Sequence, residues 1–299
     1  MKTKKKRLGT KARVQAHKKR VAYIGVIITV SILIAVIAVS GFFIHSYPNS
    51  SPNQTINRDQ TNNPTFQLKA AIVDQGSVAP TAGYNQTFIQ TTTNILKQAG
   101  YTVDYYPGES VTVDFYRNLP THGYRLIILR VHSTATKTQG TEGPVTLFTS
   151  ERASQTKYVY EQLTDQLLGV SFSKDEREKG IIYFGIPPLF VTQAMKGRFQ
   201  NTIVIMMGCE GLDNPLMAMA FVEKGAKVYV SWNQAVSASH TDLATTRLLQ
   251  HFLMEKLTLK ESVQETFKEV GADPAYESLL IYYPLEVGEQ TIENIAGES

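Results

Sequence analysis

Two residues of this chain have the types and positions needed for nucleophilic chemistry. Cys209 is the only cysteine, and it follows an apolar run over residues 202–207 with Gly208 between. His132 comes directly after a second apolar run, over residues 126–131. The thiolate is the reactive form of cysteine, and a nearby imidazole can take the thiol proton and later return it to a leaving group. We therefore predict His132 and Cys209 as a candidate catalytic dyad.

Each of these residues alone has a simpler explanation. A single cysteine has no partner for an intramolecular disulfide, so Cys209 is an intermolecular partner, a small buried apolar side chain or a functional thiol. A histidine at a strand end is more often structural than catalytic. The observation that favours chemistry is that both residues follow predicted strands.

The elements that would position these residues alternate along the chain. Short apolar runs predict strands at 70–74, 101–106, 126–131, 180–185, 202–207 and 227–232, with a small extra strand at 145–148. Helices are predicted at 84–98, 111–118, 157–168, 216–224, 241–256 and 259–270. This alternation predicts an α/β domain with a mainly parallel sheet, whose strands are covered on both faces.

In open parallel sheets, ligands bind beyond the carboxyl ends of the strands. Neighbouring strands lie about 4.8 Å apart, so His132 and Cys209 would meet over the sheet edge if their strands are adjacent. Other catalytic or metal-binding motifs, including H-E-x-x-H, C-x-x-C, G-x-S-x-G and the P-loop, are absent from the sequence. His122, His240 and His251 do not form a metal set, so we expect neither a metal nor a cofactor.

The N-terminal part has the pattern of a membrane anchor. Residues 1–20 carry ten Lys or Arg and no acidic residue, and residues 21–44 contain no charge. Such a run is long enough to cross a bilayer and longer than the apolar region of a cleaved signal peptide, which is the alternative. Basic flanks stay in the cytoplasm, so we expect a cytoplasmic N-terminus and an extracytoplasmic main domain. Residues 45–67 are polar and Pro-containing, which predicts a disordered linker.

The charge of the remaining chain differs from that of the whole. The chain has 30 Lys and Arg against 26 Asp and Glu, and without the ten basic residues of the tail the balance is 20 against 26. A mildly acidic outer part argues against nucleic-acid binding. Residues 68–284 have the composition and length of one α/β domain. We expect residues 285–299, which are Glu-rich, to form an acidic tail outside it.

The motifs around the dyad resemble those of a known family. The stretch IVIMMGCEG, residues 203–211, resembles the cysteine motif of caspase-like (clan CD) peptidases, in particular the CHAT branch, in which an apolar strand ends in A-C-E-T-G. The sequence that follows resembles the CHAT pattern, in which a helix is followed by G-A, by a strand that ends in S-x-W and by a long helix. The upstream LIILRVHS resembles the strand that ends in the family's catalytic histidine.

The resemblance implies a caspase-like three-layer α/β/α domain and a role for each matching residue. Cys209 would be the nucleophile and His132 the general base. The backbone N–H groups of Ser133 and Cys209 would form the oxyanion hole. Ser231, Trp232 and Asn233 would line the pocket for the substrate residue before the cut.

Three positions depart from the family pattern. Ser133 replaces the usual Gly after the histidine. Met207 stands where relatives that cut after Arg or Lys often carry Asp, and Asn233 stands where caspases that cut after Asp carry Arg. Neither basic nor acidic specificity is therefore predicted.

The resulting hypothesis is a membrane-anchored extracytoplasmic cysteine endopeptidase that acts on protein or peptide substrates. The polar connection 133–157 would be its site of self-cleavage. The alternatives are a non-catalytic caspase-like binding or scaffold domain, and an unrelated α/β domain with a structural cysteine.

Overall fold

The computed structural model describes residues 68–138 and 141–297. The predicted basic tail, membrane-spanning helix and linker lie outside these ranges. Within them, no helix combines the length and apolar character needed to cross a bilayer. The strands are β1 (Lys69–Asp74), β2 (Thr102–Pro107), β3 (Leu126–Leu129), β4 (Ser133–Thr138), β5 (Thr141–Arg152), β6 (Leu168–Val170), β7 (Tyr183–Ile186), β8 (Thr202–Met206), β9 (Ala226–Trp232) and β10 (Leu280–Tyr283).

The helices alternate with these strands. The α-helices are α1 (Gln86–Gln98), α2 (Val113–Asn118), α3 (Val159–Leu163), α4 (Lys174–Glu178), α5 (Leu216–Glu223), α6 (Ala238–Leu249), α7 (Leu259–Val270) and α8 (Ile292–Gly297). Single turns of 3₁₀-helix occur at Gln75–Val78, Gly108–Ser110, Leu119–His122 and Leu285–Val287, and π-helical turns at Phe190–Ala194 and Gln250–Met254.

The main sheet has six strands in the order β10-β9-β8-β3-β1-β2. All neighbours in it are parallel except β10, which runs antiparallel to β9. Strand β3 shows why these segments are apolar throughout: Ile127 and Leu129 pack into the core on one face, while Leu126 and Ile128 pack into the core on the other. The predicted mixed α/β architecture with a mainly parallel sheet is confirmed.

A second sheet is formed by the part of the chain whose strands the sequence analysis predicted least accurately. It has four antiparallel strands in the order β4-β5-β7-β6. The prediction of a long polar connection over residues 133–157 is therefore largely wrong, because this segment contains β4 and β5. The helix predicted over 157–168 is the short α3, and the strand predicted over 180–185 belongs to this second sheet as β7.

Strand β4 of the second sheet escaped prediction because it is buried on one face only. In β4, Ser133 and Ala135 are buried while Thr134 between them is partly exposed. A half-covered strand alternates in exposure, so small and polar residues replace the apolar run of a parallel strand.

The C-terminal segment also differs from its prediction. Residues 285–297 do not leave the domain as an acidic tail, because Val287, Ile292 and Ile295 are buried in the core cluster that also contains side chains of α6 and α7. Its glutamates lie on the outer surface, where Glu293 pairs with Lys256 at 2.6 Å and Glu289 pairs with Lys260 at 2.7 Å. Acidic composition thus marks a solvated face of a docked segment.

Candidate active site

The two central strands bring His132 and Cys209 to the same edge of the main sheet. Strands β3 and β8 are parallel neighbours, and their last paired residues are Leu129 and Met206. His132 and Cys209 each lie three residues beyond that pair. Both line one cavity of about 570 Å³ at the carboxyl ends of the strands. The structure therefore joins the two predicted residues in one site.

His132 is held in an aromatic setting. Its ring packs edge-on against Phe148, with the ring centroids 4.6 Å apart, and lies 5.3 Å from the ring of Phe172. Its backbone N–H donates to Oε1 of Gln75 at 2.9 Å, and its carbonyl accepts from Phe148 N at 2.9 Å. Burial lowers the pKa of His132, because an imidazolium is poorly solvated there. At neutral pH the ring is therefore an uncharged base.

Cys209 is half-buried, and its sulfur lies against the segment before α6. Sγ is 3.5 Å from Val236 N and 3.6 Å from Val236 O. Burial raises the pKa of the Cys209 thiol, and the charges of Glu210 and Asp273 add to this, whereas the Val236 N–H acts in the opposite direction. Across the described residues, no hydrogen bond joins Sγ to the His132 ring. At neutral pH the cavity thus holds a protonated thiol and a neutral imidazole.

The turn that carries Cys209 is fastened to β4. The hydroxyl of Ser133 donates to the Cys209 carbonyl at 2.5 Å, and Ala135 N donates to Oε2 of Glu210 at 2.7 Å. A side chain at Gly208 would collide with the Val131 carbonyl and with the Ser133 hydroxyl. Close packing of two backbones explains the glycine, and the Ser133 hydroxyl has a structural use that a glycine could not supply.

The predicted oxyanion donors, the N–H groups of Ser133 and Cys209, lie on the two elements that this hydrogen bond joins. Their role stays a prediction.

The three residues predicted to line the substrate pocket, Ser231, Trp232 and Asn233, are not among the residues that line this cavity. Ser231 is fully buried and donates to the Met206 carbonyl at 2.7 Å. Trp232 is also buried, and its Nε1 donates to Oγ1 of Thr241 at 2.9 Å. Asn233 is partly exposed but is bound through its Oδ1 to Leu279 N at 2.8 Å. Trp232 therefore contacts the cavity wall from behind, through Thr241.

A buried ion cluster that sequence analysis missed contributes two side chains to the lining of the cavity. Arg130 Nε and Nη2 bind the two carboxylate oxygens of Asp242 at 2.7 and 3.0 Å, and Nη1 binds Asp74 Oδ1 at 2.7 Å. Burial by itself lowers the pKa of Arg130, but the hydrogen bonds and charges of Asp242 and Asp74 outweigh it and raise that pKa. Arg130 and Asp242 line the cavity, whereas Asp74 lies behind them. The available signal was an arginine inside an otherwise apolar run.

Asp273 organises the rim next to Cys209. It accepts hydrogen bonds from the backbone N–H groups of Ser237, Ala275 and Tyr276 at 2.8 to 3.0 Å, and from the Ser237 hydroxyl at 3.2 Å. Burial raises its pKa, but these hydrogen bonds to the charged form lower it overall.

In the described part of the chain, no group of three His, Cys, Asp or Glu side chains is arranged to hold a metal ion.

Comparison with known proteins gives a structural likeness only. No family model matches the chain, and no curated protein matches it. Among the solved structures, the chain is similar to the Arg specific cysteine proteinase gingipain R (RGPB), with 11% sequence identity and a TM-score of 0.40. The match covers 76% of this chain and 44% of that one, so this chain spans less than half the length of the proteinase.

Proposed function

We propose that this chain is a cysteine endopeptidase in which Cys209 is the nucleophile and His132 the general base. The observation that carries the proposal is that both residues lie three positions beyond the last pair of two adjacent parallel strands and line one cavity. The cysteine and histidine motifs that resemble caspase-like peptidases fall on these positions.

The proposed reaction uses the two neutral groups that the resting site holds. His132 takes the thiol proton as Sγ attacks the carbonyl carbon of the scissile peptide, and the imidazolium then gives that proton to the departing amine as the C–N bond breaks. Water, deprotonated by the same imidazole, hydrolyses the thioester and restores the thiol. Because Cys209 Sγ contacts Val236, a small movement of that segment or of the thiol must precede the proton transfer.

Alkylation of the thiol tests the proposed pair. Cys209 is the only cysteine of the full chain, so incorporation of iodoacetamide reports on this thiol alone. Because burial raises the pKa of Cys209, we expect the labelling rate of the wild type to rise up to and beyond pH 9, the thiol's ordinary value. Since the base lowers the barrier to thiolate formation, we expect His132→Ala to slow labelling between pH 6 and 8 by at least about tenfold.

The control for this experiment is His122→Ala, which removes an exposed histidine from the opposite end of β3. It should leave the rate unchanged. Equal labelling rates in wild type and His132→Ala would refute the pair.

A second candidate function is that of a non-catalytic binding domain. It is favoured by the contact of Cys209 Sγ with Val236 and by the raised pKa of the thiol. Labelling that is independent of His132, together with no peptide hydrolysis, would support it.

We further propose that residues 21–44 anchor the chain, with the described domain outside the cytoplasm. The support is the uncharged run and its basic flank. A Cys209→Ala chain carrying Lys174→Cys, at a side chain that is 89% exposed, should react with a membrane-impermeant maleimide in intact cells. The matched chain carrying Lys5→Cys should react only after lysis. The reverse pattern would invert the topology, and no membrane retention after alkaline extraction would remove the anchor.

A further inference from the structure

Two of the side chains that line the cavity with Cys209 and His132, Arg130 and Asp242, carry opposite charges and form what we call its charged end. They form a two-point ion pair, whereas His132 and Cys209 are uncharged at neutral pH. Asp74, which adds a further negative charge, is fully buried behind Arg130. A charged substrate side chain entering this end would lose its water without finding a free counter-charge.

The same end retains hydrogen-bonding capacity. A guanidinium has five N–H groups, and those of Arg130 are directed to Asp242, to Asp74 and to the Gly83 carbonyl at 2.9 Å. These bonds use four of the five, and among the described residues the last N–H, on Nη2, has no acceptor.

Acceptors are available as well. Oδ2 of Asp242 receives Arg130 Nη2 and Asn85 Nδ2, but Oδ1 receives only Arg130 Nε. A carboxylate oxygen accepts two hydrogen bonds, so Oδ1 retains one site. The hydroxyls of Thr81 and Ser239 also line the cavity, and neither is bonded within the described part of the chain. This end thus offers both donors and acceptors, and each of its two lining charges is already paired.

From these observations we infer that the cavity selects an uncharged polar side chain, a carboxamide of Asn or Gln, at the substrate residue whose carbonyl Cys209 attacks. A carboxamide presents one acceptor oxygen and two donor hydrogens, which matches the free groups of this end. The inference rests on the proposed peptidase function, because it assigns the cavity to the residue before the scissile bond. Arg130 and Asp242 are then the specificity-determining pair.

Irreversible probes test this selection in the full chain. Peptidyl acyloxymethyl ketones are attacked by the thiol sulfur at the methylene carbon, so that a C–S bond forms, the C–O bond breaks and a carboxylate leaves. Probes that differ only in the residue before the ketone, Asn, Gln, Asp, Arg or Ala, give a labelling rate constant for each side chain. We expect the Asn or Gln probe to label Cys209 at least about tenfold faster than the Asp, Arg and Ala probes.

A charge variant sharpens the test. Asp242→Asn removes the carboxylate that lines the cavity and leaves the buried Asp74 as the counter-charge of Arg130, so repulsion of an anion falls and the Asp probe should gain at least about tenfold relative to the Asn probe. The matched control is Asp175→Asn, which removes an exposed carboxylate on α4 and should leave the order of the probes unchanged. The wild-type order is informative even where Asp242→Asn does not fold.

The outcomes separate the two proposals. Labelling that depends on His132 but is equal for all probes would overturn the selection and leave the peptidase function standing. Fastest labelling by the Arg probe would likewise overturn it, and would show that the negative charge of Asp74 dominates the cavity. If no probe labels Cys209, or if labelling does not depend on His132, both proposals are overturned.

Discussion

Replacing His132 by alanine is expected to lower kcat/KM for peptide hydrolysis by about 10² to 10⁴, the usual contribution of a positioned general base. Burial keeps the ring uncharged at neutral pH, so it is competent to take the thiol proton when substrate binds. Cleavage of a peptide library, followed by mass spectrometry, measures the loss.

Chemical rescue distinguishes a base from a packing residue. Free imidazole fits the space that His132→Ala leaves between Phe148 and Phe172, and it should restore part of the rate. His122→Ala should neither lose activity nor respond to imidazole. A variant that stays folded and keeps wild-type kcat/KM would contradict the role of His132.

The lowered pKa of His132 determines how activity and stability change with pH. Because burial lowers the pKa of His132 from its ordinary value of 6.5, the neutral base persists as pH falls through 6.5. Activity that depends on this base should therefore be retained at pH 6.5 and lost only at lower pH. For stability the same shift means that the unfolded chain binds the proton first, so the free energy of unfolding decreases as pH falls below 6.5.

Arg130→Met is expected to lower the free energy of unfolding by about 3–5 kcal/mol, as when one partner of a buried ion pair is removed. The change deletes the cation between two buried carboxylates, Asp74 and Asp242, and leaves both without their strongest partner. Urea denaturation followed by circular dichroism measures the difference. Arg198→Met, at an exposed arginine, should change stability by no more than about 0.5 kcal/mol.

A variant without any of the three charges tests whether unpaired charge causes the loss of stability in Arg130→Met. The triple variant Asp74→Asn, Arg130→Met, Asp242→Asn removes all three charges, so it should recover much of the stability that Arg130→Met loses. If the triple variant is instead as unstable as the sum of its parts, the loss comes from packing of the arginine stem rather than from unpaired charge.

The sequence by itself predicted five of the six strands of the main sheet, all but β10, and the placement of His132 and Cys209 at one edge of it. Strands buried on both faces must be apolar along their whole length, and in β3 and β8 this signal is local and strong. The carboxyl ends of parallel strands meet at one edge, so residues that follow such strands converge without any knowledge of the loops.

Only the tertiary structure decided the second sheet, the docking of the C-terminal segment and the chemistry of the cavity. Strand β4 and residues 285–297 have polar or acidic compositions because each is covered on one side, and composition does not reveal which side. Arg130, Asp74 and Asp242 lie far apart in the chain and acquire meaning only as an ion cluster. The contact of Cys209 Sγ with Val236 likewise depends on where the segment before α6 lies, and so does the burial that raises the pKa of the thiol.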